Sequence, residues 1–396
     1  MALKGMRVLI GMMALIAAAC DSSEETKEVT QEQAIGFSAS MSEATTRSGG
    51  LTGDVTRSGG GEFGIDNTAL RASGFGVYCW YTGTRAFSAE APNYSGNVLL
   101  MRNQKVTYDA SLTHPWTYSP TKYWPLNADD KLTFRAYAPY VDYNLVEETN
   151  GSYATYTTGM PLLPVMVAST DYHNDTQHDP LWGTGVYQPT DPGYAAADAP
   201  KYGKHYTDWN FAKSNKGDVD WYFHHGMAKI VFWGLVNEQS PDDVINIKSI
   251  KVEHLYDKGL LDISSPSESA TTKPWWYDCE GDMTVTLVGQ DAVPANTDLS
   301  RYEINKSTWT QLTDNGLLII PRNFGGGTTM KITVTFESRG REVSMTTEVN
   351  RNLQGNTVYT FKMNISNNSL TIRISAVDAA FTKVSEVEAL WEVYNW

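Results

Sequence analysis

The first readable pattern along the chain is an alternation. Ile35, Phe37, Ala39 and Met41 are interleaved with Gly36, Ser38, Ser40 and Ser42, the period of two that marks a strand with one buried face. Further strands are expected at Phe75 to Tyr81, Lys131 to Ala138, Lys229 to Leu235, Ile245 to His254, Met283 to Val288, Lys331 to Glu337 and Thr357 to Ile365. All are rich in Val, Ile, Phe, Tyr and Trp and are punctuated by Gly, Pro, Asn and Asp. No long amphipathic helix can be drawn. Many short strands with abundant aromatics predict an all-β protein built of two tandem β-sandwich domains.

Breaks in the pattern divide the chain. Lys4 and Arg7 precede an apolar run from Val8 to Ala19, closed by Ala17-Ala18-Ala19-Cys20. The run is too short to cross a bilayer and reads as a lipoprotein signal peptide over residues 1–19, with Cys20 the lipidated residue. A diacylglycerol thioether plus an amide-linked acyl group such as palmitate would anchor stably where one chain would not. Residues 20–33 form an acidic tether, Asp21-Ser22-Ser23-Glu24-Glu25 and onward. A first sandwich is expected over 34–217 and a second over 218–366, with the Pro-, Gly- and Tyr-rich stretch from Thr170 to Asp218 as the junction. Within the first, residues 45–64 are a glycine-rich loop in which Thr46-Arg47-Ser48-Gly49-Gly50 recurs as Thr56-Arg57-Ser58-Gly59-Gly60. No Gly-Lys-Ser/Thr follows, so the loop is not a phosphate cradle. After the turn at Asn367-Asn368, the tail 367–396 alternates again, with Leu370, Ile372, Ile374 and Ala376 against Thr371, Arg373 and Ser375. Such a tail either completes its own domain or enters a neighbour's groove.

Charge and chemistry narrow the function. A net charge of −14 and a pI near 5.0 exclude the clustered Lys and Arg that nucleic acid requires. Cys79 and Cys279 read as separate buried thiols, with a disulfide between them the alternative. His173, Asp175, His178 and Asp179 form the best metal-like cluster, but they sit in loop composition without further ligands, and neither a metal nor any other cofactor is assigned. His224-His225 reads as packing. There is no Gly-x-Ser-x-Gly elbow, no His-Glu-x-x-His and no cysteine with a histidine signature, so no catalytic residue is assigned. Tyr78, Trp80 and Tyr81, or Trp275, Trp276 and Tyr277, could stack on sugars, which makes a glycan-binding surface lipoprotein the alternative function.

Several segments, in order, resemble the fimbrillin family, the subunits of donor-strand pili of Bacteroidales. In the first half they are Asn103 to Tyr108, Trp116-Thr117-Tyr118-Ser119-Pro120-Thr121-Lys122-Tyr123-Trp124-Pro125, and Asp130 to Tyr140. In the second they are Phe223 to Ile230, Leu317 to Pro321 and Val358 to Phe361. The resemblance implies transthyretin-like Greek-key sandwiches, a lipoprotein precursor, no enzymatic activity and assembly by strand exchange. It further implies an arginine-directed cut, after Arg47 or Arg57 in this chain, that frees the first strand. Leu370, Ile372, Ile374 and Ala376 are then the candidate donor strand. The expected setting is a surface-exposed fimbrium on the outer membrane, held by the lipid anchor, with other pilus subunits as partners and a host or glycan ligand for adhesion. Whether the chain serves as stalk, tip or anchor subunit stays open.

Overall fold

A computed structural model describes residues 32–41, 67–88, 96–142, 161–170, 172, 177–186, 202–264, 275–287, 302–313, 316–325 and 327–378. In chain order the first strands are β1 (Gly36–Met41), β2 (Phe75–Gly83), β3 (Val98–Tyr108), β4 (Trp116–Thr117), β5 (Lys131–Ala138) and β6 (Leu162–Met166). They are followed by β7 (Leu181–Val186), β8 (Tyr202–Lys204), β9 (Tyr206–Trp209), β10 (Asp218–His225), β11 (Ala228–Val236) and β12 (Val244–Leu255). Next come β13 (Lys258–Asp262), β14 (Trp276–Glu280), β15 (Met283–Thr286), β16 (Glu303–Asn305), β17 (Thr310–Gln311) and β18 (Leu317–Ile319). The last are β19 (Arg322–Asn323), β20 (Met330–Ser338), β21 (Arg341–Val349), β22 (Asn352–Leu353), β23 (Thr357–Ser366) and β24 (Ser369–Asp378). One short helix, α1 (Asn67–Ser73), precedes β2. The protein is all-β in class, as the alternation predicts.

The first half is one curled nine-stranded sheet in the order β1-β10-β7-β5-β2-β3-β4, with β8 on β7 and β9 on β5. Its two ends approach each other. Ile35 N donates to the Lys122 carbonyl at 2.9 Å, Trp124 N to that of Gln33 at 2.8 Å, and the Tyr118 hydroxyl to that of Ile35 at 2.8 Å. The curl encloses a core of Phe37, Phe75, Trp116, Trp124, Phe134 and Phe223. The aromatic turn between Trp116 and Pro125 therefore fills the space between layers, with polar tips satisfied by backbone. Trp124 Nε1, for example, donates to the Gly217 carbonyl at 2.9 Å.

The second half sets two five-stranded sheets face to face. One has the order β17-β11-β23-β24 with β18 on β11, and the other has β15-β12-β20-β21 with β16 on β12. Between them lies a core of aliphatic and aromatic side chains that includes Ile230, Phe232, Ile250, Val334, Phe336 and Phe361. The strict alternation of β20, buried at every second residue from Met330 to Ser338, is what a sheet covered on one face dictates.

A third sheet joins the halves. β6, from the first half, pairs antiparallel with β13, which pairs with β14. Leu163, Val165, Leu261 and Ile263 pack here with Tyr78, Trp80 and Tyr137 from the outer face of the curled sheet. The first sheet also runs past residue 217, because Asp218–His225 is its second strand, paired with both β1 and β7. The loop-rich composition before Asp218 marks a break in pattern, whereas sheet membership is set by the pairing of Val219, Trp221 and Phe223 into the first core.

Candidate functional site

The exchangeable element expected at the N-terminus is an edge strand. β1 lies at the end of the curled sheet and pairs parallel with β10, from Gly36 opposite Asp218 to Met41 opposite Phe223. Its inward side chains Phe37 and Met41 are buried, at 3 % and 6 % exposure, as is Ile35 just before it, at 1 %. Phe37 meets the rings of Tyr118, Phe75 and Phe134 at 5.3, 6.1 and 6.4 Å between centroids. The outward side chains are small and polar, and the Ser38 hydroxyl donates to the Asp220 carboxylate at 2.6 Å. The strand's end is fixed where Met41 N donates to Asn67 Oδ1 at 2.8 Å. Gly36 lets the Asp218 carboxylate lie against the strand, and a β-carbon there would force that carboxylate aside.

β10 is the pairing partner of β1 that the sequence reading missed. Its signal was available, for Val219, Trp221 and Phe223 alternate with Asp218, Asp220 and Tyr222. Its parallel register with a strand some 180 residues upstream was not, because nothing local specifies a pairing at that separation.

At the other end, Leu370, Ile372, Ile374 and Ala376 lie in β24, which continues from the turn at Asn367-Asn368. β24 pairs with β23 along its whole length, from Ser369 opposite Ser366 to Asp378 opposite Thr357. All four side chains are buried in the core of their own domain, at 1 to 4 % exposure. Of the two roles open to this segment, the fold has it completing its own sheet. Cys20, Arg47 and Arg57 lie outside the described residues, as do the tail positions beyond Asp378.

Most of the other candidates resolve into packing. Tyr78 and Trp80 are buried against the third sheet and offer no face to a sugar, while Trp275 is 41 % exposed and Trp276 and Tyr277 are half-buried. Cys79 and Cys279 are free thiols, and burial pushes that of Cys279 up to about 12. Of the metal-like cluster, His178 and Asp179 are described. Asp179 is buried and its Oδ2 lies 2.5 Å from His225 Nδ1, and no metal-ligating group exists among the described residues. His224 is likewise internal, its Nε2 2.6 Å from the Thr184 hydroxyl, and burial, followed by the nearby charge of His225, lowers its pKa to about 3.

Between the halves, Arg135 on β5 is wholly buried. Its guanidinium donates to the Phe134 carbonyl at 2.7 Å and to the Thr207 hydroxyl at 3.1 Å. Burial lowers its pKa to about 10, against the raising effect of the Asp262 carboxylate on β13. Asp262 in turn is raised by burial, while bonds from Ser264 and the charge of Arg135 pull the other way.

Residues 206–378, a little under half of the chain, match the fimbrillin-like family model. A curated relative, the fimbrium subunit Fim1C of Phocaeicola vulgatus, is 28 % identical over 133 residues, which is 34 % of this chain and 30 % of that protein's length. The crystal structure of a fimbrial protein from Bacteroides vulgatus superposes over 88 % of this chain and 100 % of its own, with a TM-score of 0.52 and 16 % identity. The match is to a family of structural subunits and not to an enzyme family. Residues 206–378, from β9 through β24, are a fimbrillin-like region, and the fold around them is shared with a fimbrial protein.

Proposed function

We propose that this protein is a pilus subunit, exported as a lipoprotein through Cys20 to the outer membrane, assembled with other subunits by strand exchange and serving adhesion. The observation that carries the reading is β1. It is an edge strand that, with Ile35 just before it, puts three buried side chains, Ile35, Phe37 and Met41, into the core that the first sheet encloses. Loss of such a strand exposes one edge of β10 and an apolar groove, a template for an incoming strand. Refilling it with three comparable side chains offers roughly 5 to 9 kcal/mol before ordering costs, and a strand's backbone bonds add to that. The segment between Met41 and Asn67 carries Arg47 and Arg57, whose cleavage would sever β1 from the body.

Because β24 occupies its own sheet, it serves a neighbour only after leaving β23; the donor is otherwise the tail beyond Asp378, with Trp391, Tyr394 and Trp396. Digestion with an arginine-specific protease tests the reading. The first cut is expected after Arg47 or Arg57, and the cut protein is expected to form ladders of oligomers that the uncut protein does not. Cutting elsewhere first, or a cut protein that stays monomeric, sinks it.

A further inference from the structure

The seam where the two ends of the curled sheet meet holds a cleft of about 450 Å³. One wall is β1 with the start of β10, and the other is the turn between β3 and β4 together with Trp116 and α1. Asp218, Tyr222, Ser40, Arg71, Thr113 and His114 line it. The Arg71 guanidinium lies over the Tyr108 ring at 5.0 Å, which fixes its direction at the cleft margin. Asp218 is partly sheltered, its side chain 27 % exposed, and His114 Nδ1 stands 3.9 Å from its carboxylate.

This combination selects a chemistry. The volume suits a small molecule and falls within the range of ligand pockets. Carboxylate, guanidinium, imidazole and hydroxyl groups converge without a single dominant sign, so neither an anion nor a cation is favoured. A ligand that both donates and accepts at several neighbouring positions is favoured, and an aromatic ring such as Tyr222 can take its apolar face. We propose that the seam cleft is a binding site for a neutral hexopyranose, the terminal sugar of a surface glycan. Asp218 accepts from adjacent hydroxyls, Arg71 and His114 donate to sugar oxygens, and Tyr222 supplies the stacking surface. β1 supplies one wall, so the cleft exists only while that strand is in place, and binding is read on the uncut chain, where it does not depend on whether strand exchange occurs.

Saturation-transfer NMR on the chain from residue 21 onward tests the assignment, using methyl glycosides of glucose, galactose, mannose and N-acetylglucosamine, with sialic acid as the charged competitor. At least one neutral methyl glycoside is expected to receive saturation. Arg71→Ala and Asp218→Asn are each expected to weaken its binding at least tenfold. Asp218 lies close to Gly36, so the exposed His114→Ala variant provides a second measurement that does not disturb β1, with an expected loss of several-fold. Absence of transfer to every neutral glycoside overturns the proposal, as does binding that all three variants leave unchanged. A preference for sialic acid that Arg71→Ala abolishes and Asp218→Asn strengthens overturns it in favour of an anion site.

Discussion

Phe37 shows how much of β1's hold rests on one side chain. It touches three aromatic rings that come from β2, β5 and the turn after β4. Phe37→Ala leaves those rings facing a cavity and should cost about 3 to 5 kcal/mol in urea denaturation. A loss under about 1 kcal/mol would mean that the strand is held by its backbone alone. His224 offers a test by pH. Its imidazole titrates near 6.5 in an unfolded chain but at about 3 in the fold, so below 6.5 the unfolded state binds the proton that the fold refuses. The stability associated with neutral His224 is complete above about 6.5 and is lost progressively as pH falls toward 3. The melting temperature should therefore drop more between pH 7 and pH 4 in the parent protein than in His224→Gln. Equal drops would show that His224 is not the group responsible.

At the scale of elements, β24 gives the clearest prediction. Removing residues 369–396 strips Leu370, Ile372 and Ile374 from the second core and uncovers β23. That truncation should destabilise the second half by several kcal/mol and lower its solubility. Removing only residues 379–396 spares every described strand and should leave the melting temperature within a few degrees of the parent's. A longer truncation that melts like the parent would put β24 outside its own domain. The contrast also marks what could be read in advance. β20, with its strict alternation, and β5, an apolar and aromatic run buried on both faces, stand in the sequence almost residue for residue. The tail's strand and turn were legible for the same reason, as was the β1 alternation at Ile35, Phe37 and Met41. The partner of each was not. Whether Ile372 faces its own Met363 or another subunit depends on pairing, and pairing is decided by whole-core geometry rather than by the local pattern. Trp80 shows the same limit: its packing between the halves could be expected from its type, but the sheet that covers it, assembled from β6 and β13, could not.

On the scale of the molecule, the two halves share a core. Tyr78, Trp80 and Tyr137 pack with Met227, Leu261, Leu318 and Ile320, and Gln177 bonds to Gly316 and Leu318 across the junction. Calorimetry should accordingly show one unfolding transition, and two well-separated transitions would mean the junction contributes little. Arg135 and Asp262 are buried groups from the two halves whose charges act on each other. Asp262→Ala removes that influence together with the bonds from Ser264 and should destabilise the protein, whereas adding Arg135→Met should recover part of the loss. Additive losses in the two variants would show that the pair is not coupled.

The parallel register of β1 and β10 has a mechanical consequence. Gly36 and Asp218 lie at the same end of the pair, and Met41 and Phe223 at the other. A pull on the chain ahead of Gln33, resisted through His225, drags the two strands in opposite directions along their length. The load then falls on all the ladder's hydrogen bonds together and not on one at a time, which is the arrangement that resists tearing best. If the chain is tethered at Cys20 and severed after Arg47 or Arg57, no covalent link remains between tether and body. The six paired residues of β1, helped by the bonds of Gln33 and Ile35 to the turn after β4, would then carry the tension as a sliding clamp, and the force that detaches the subunit from the surface would be the force that shears them.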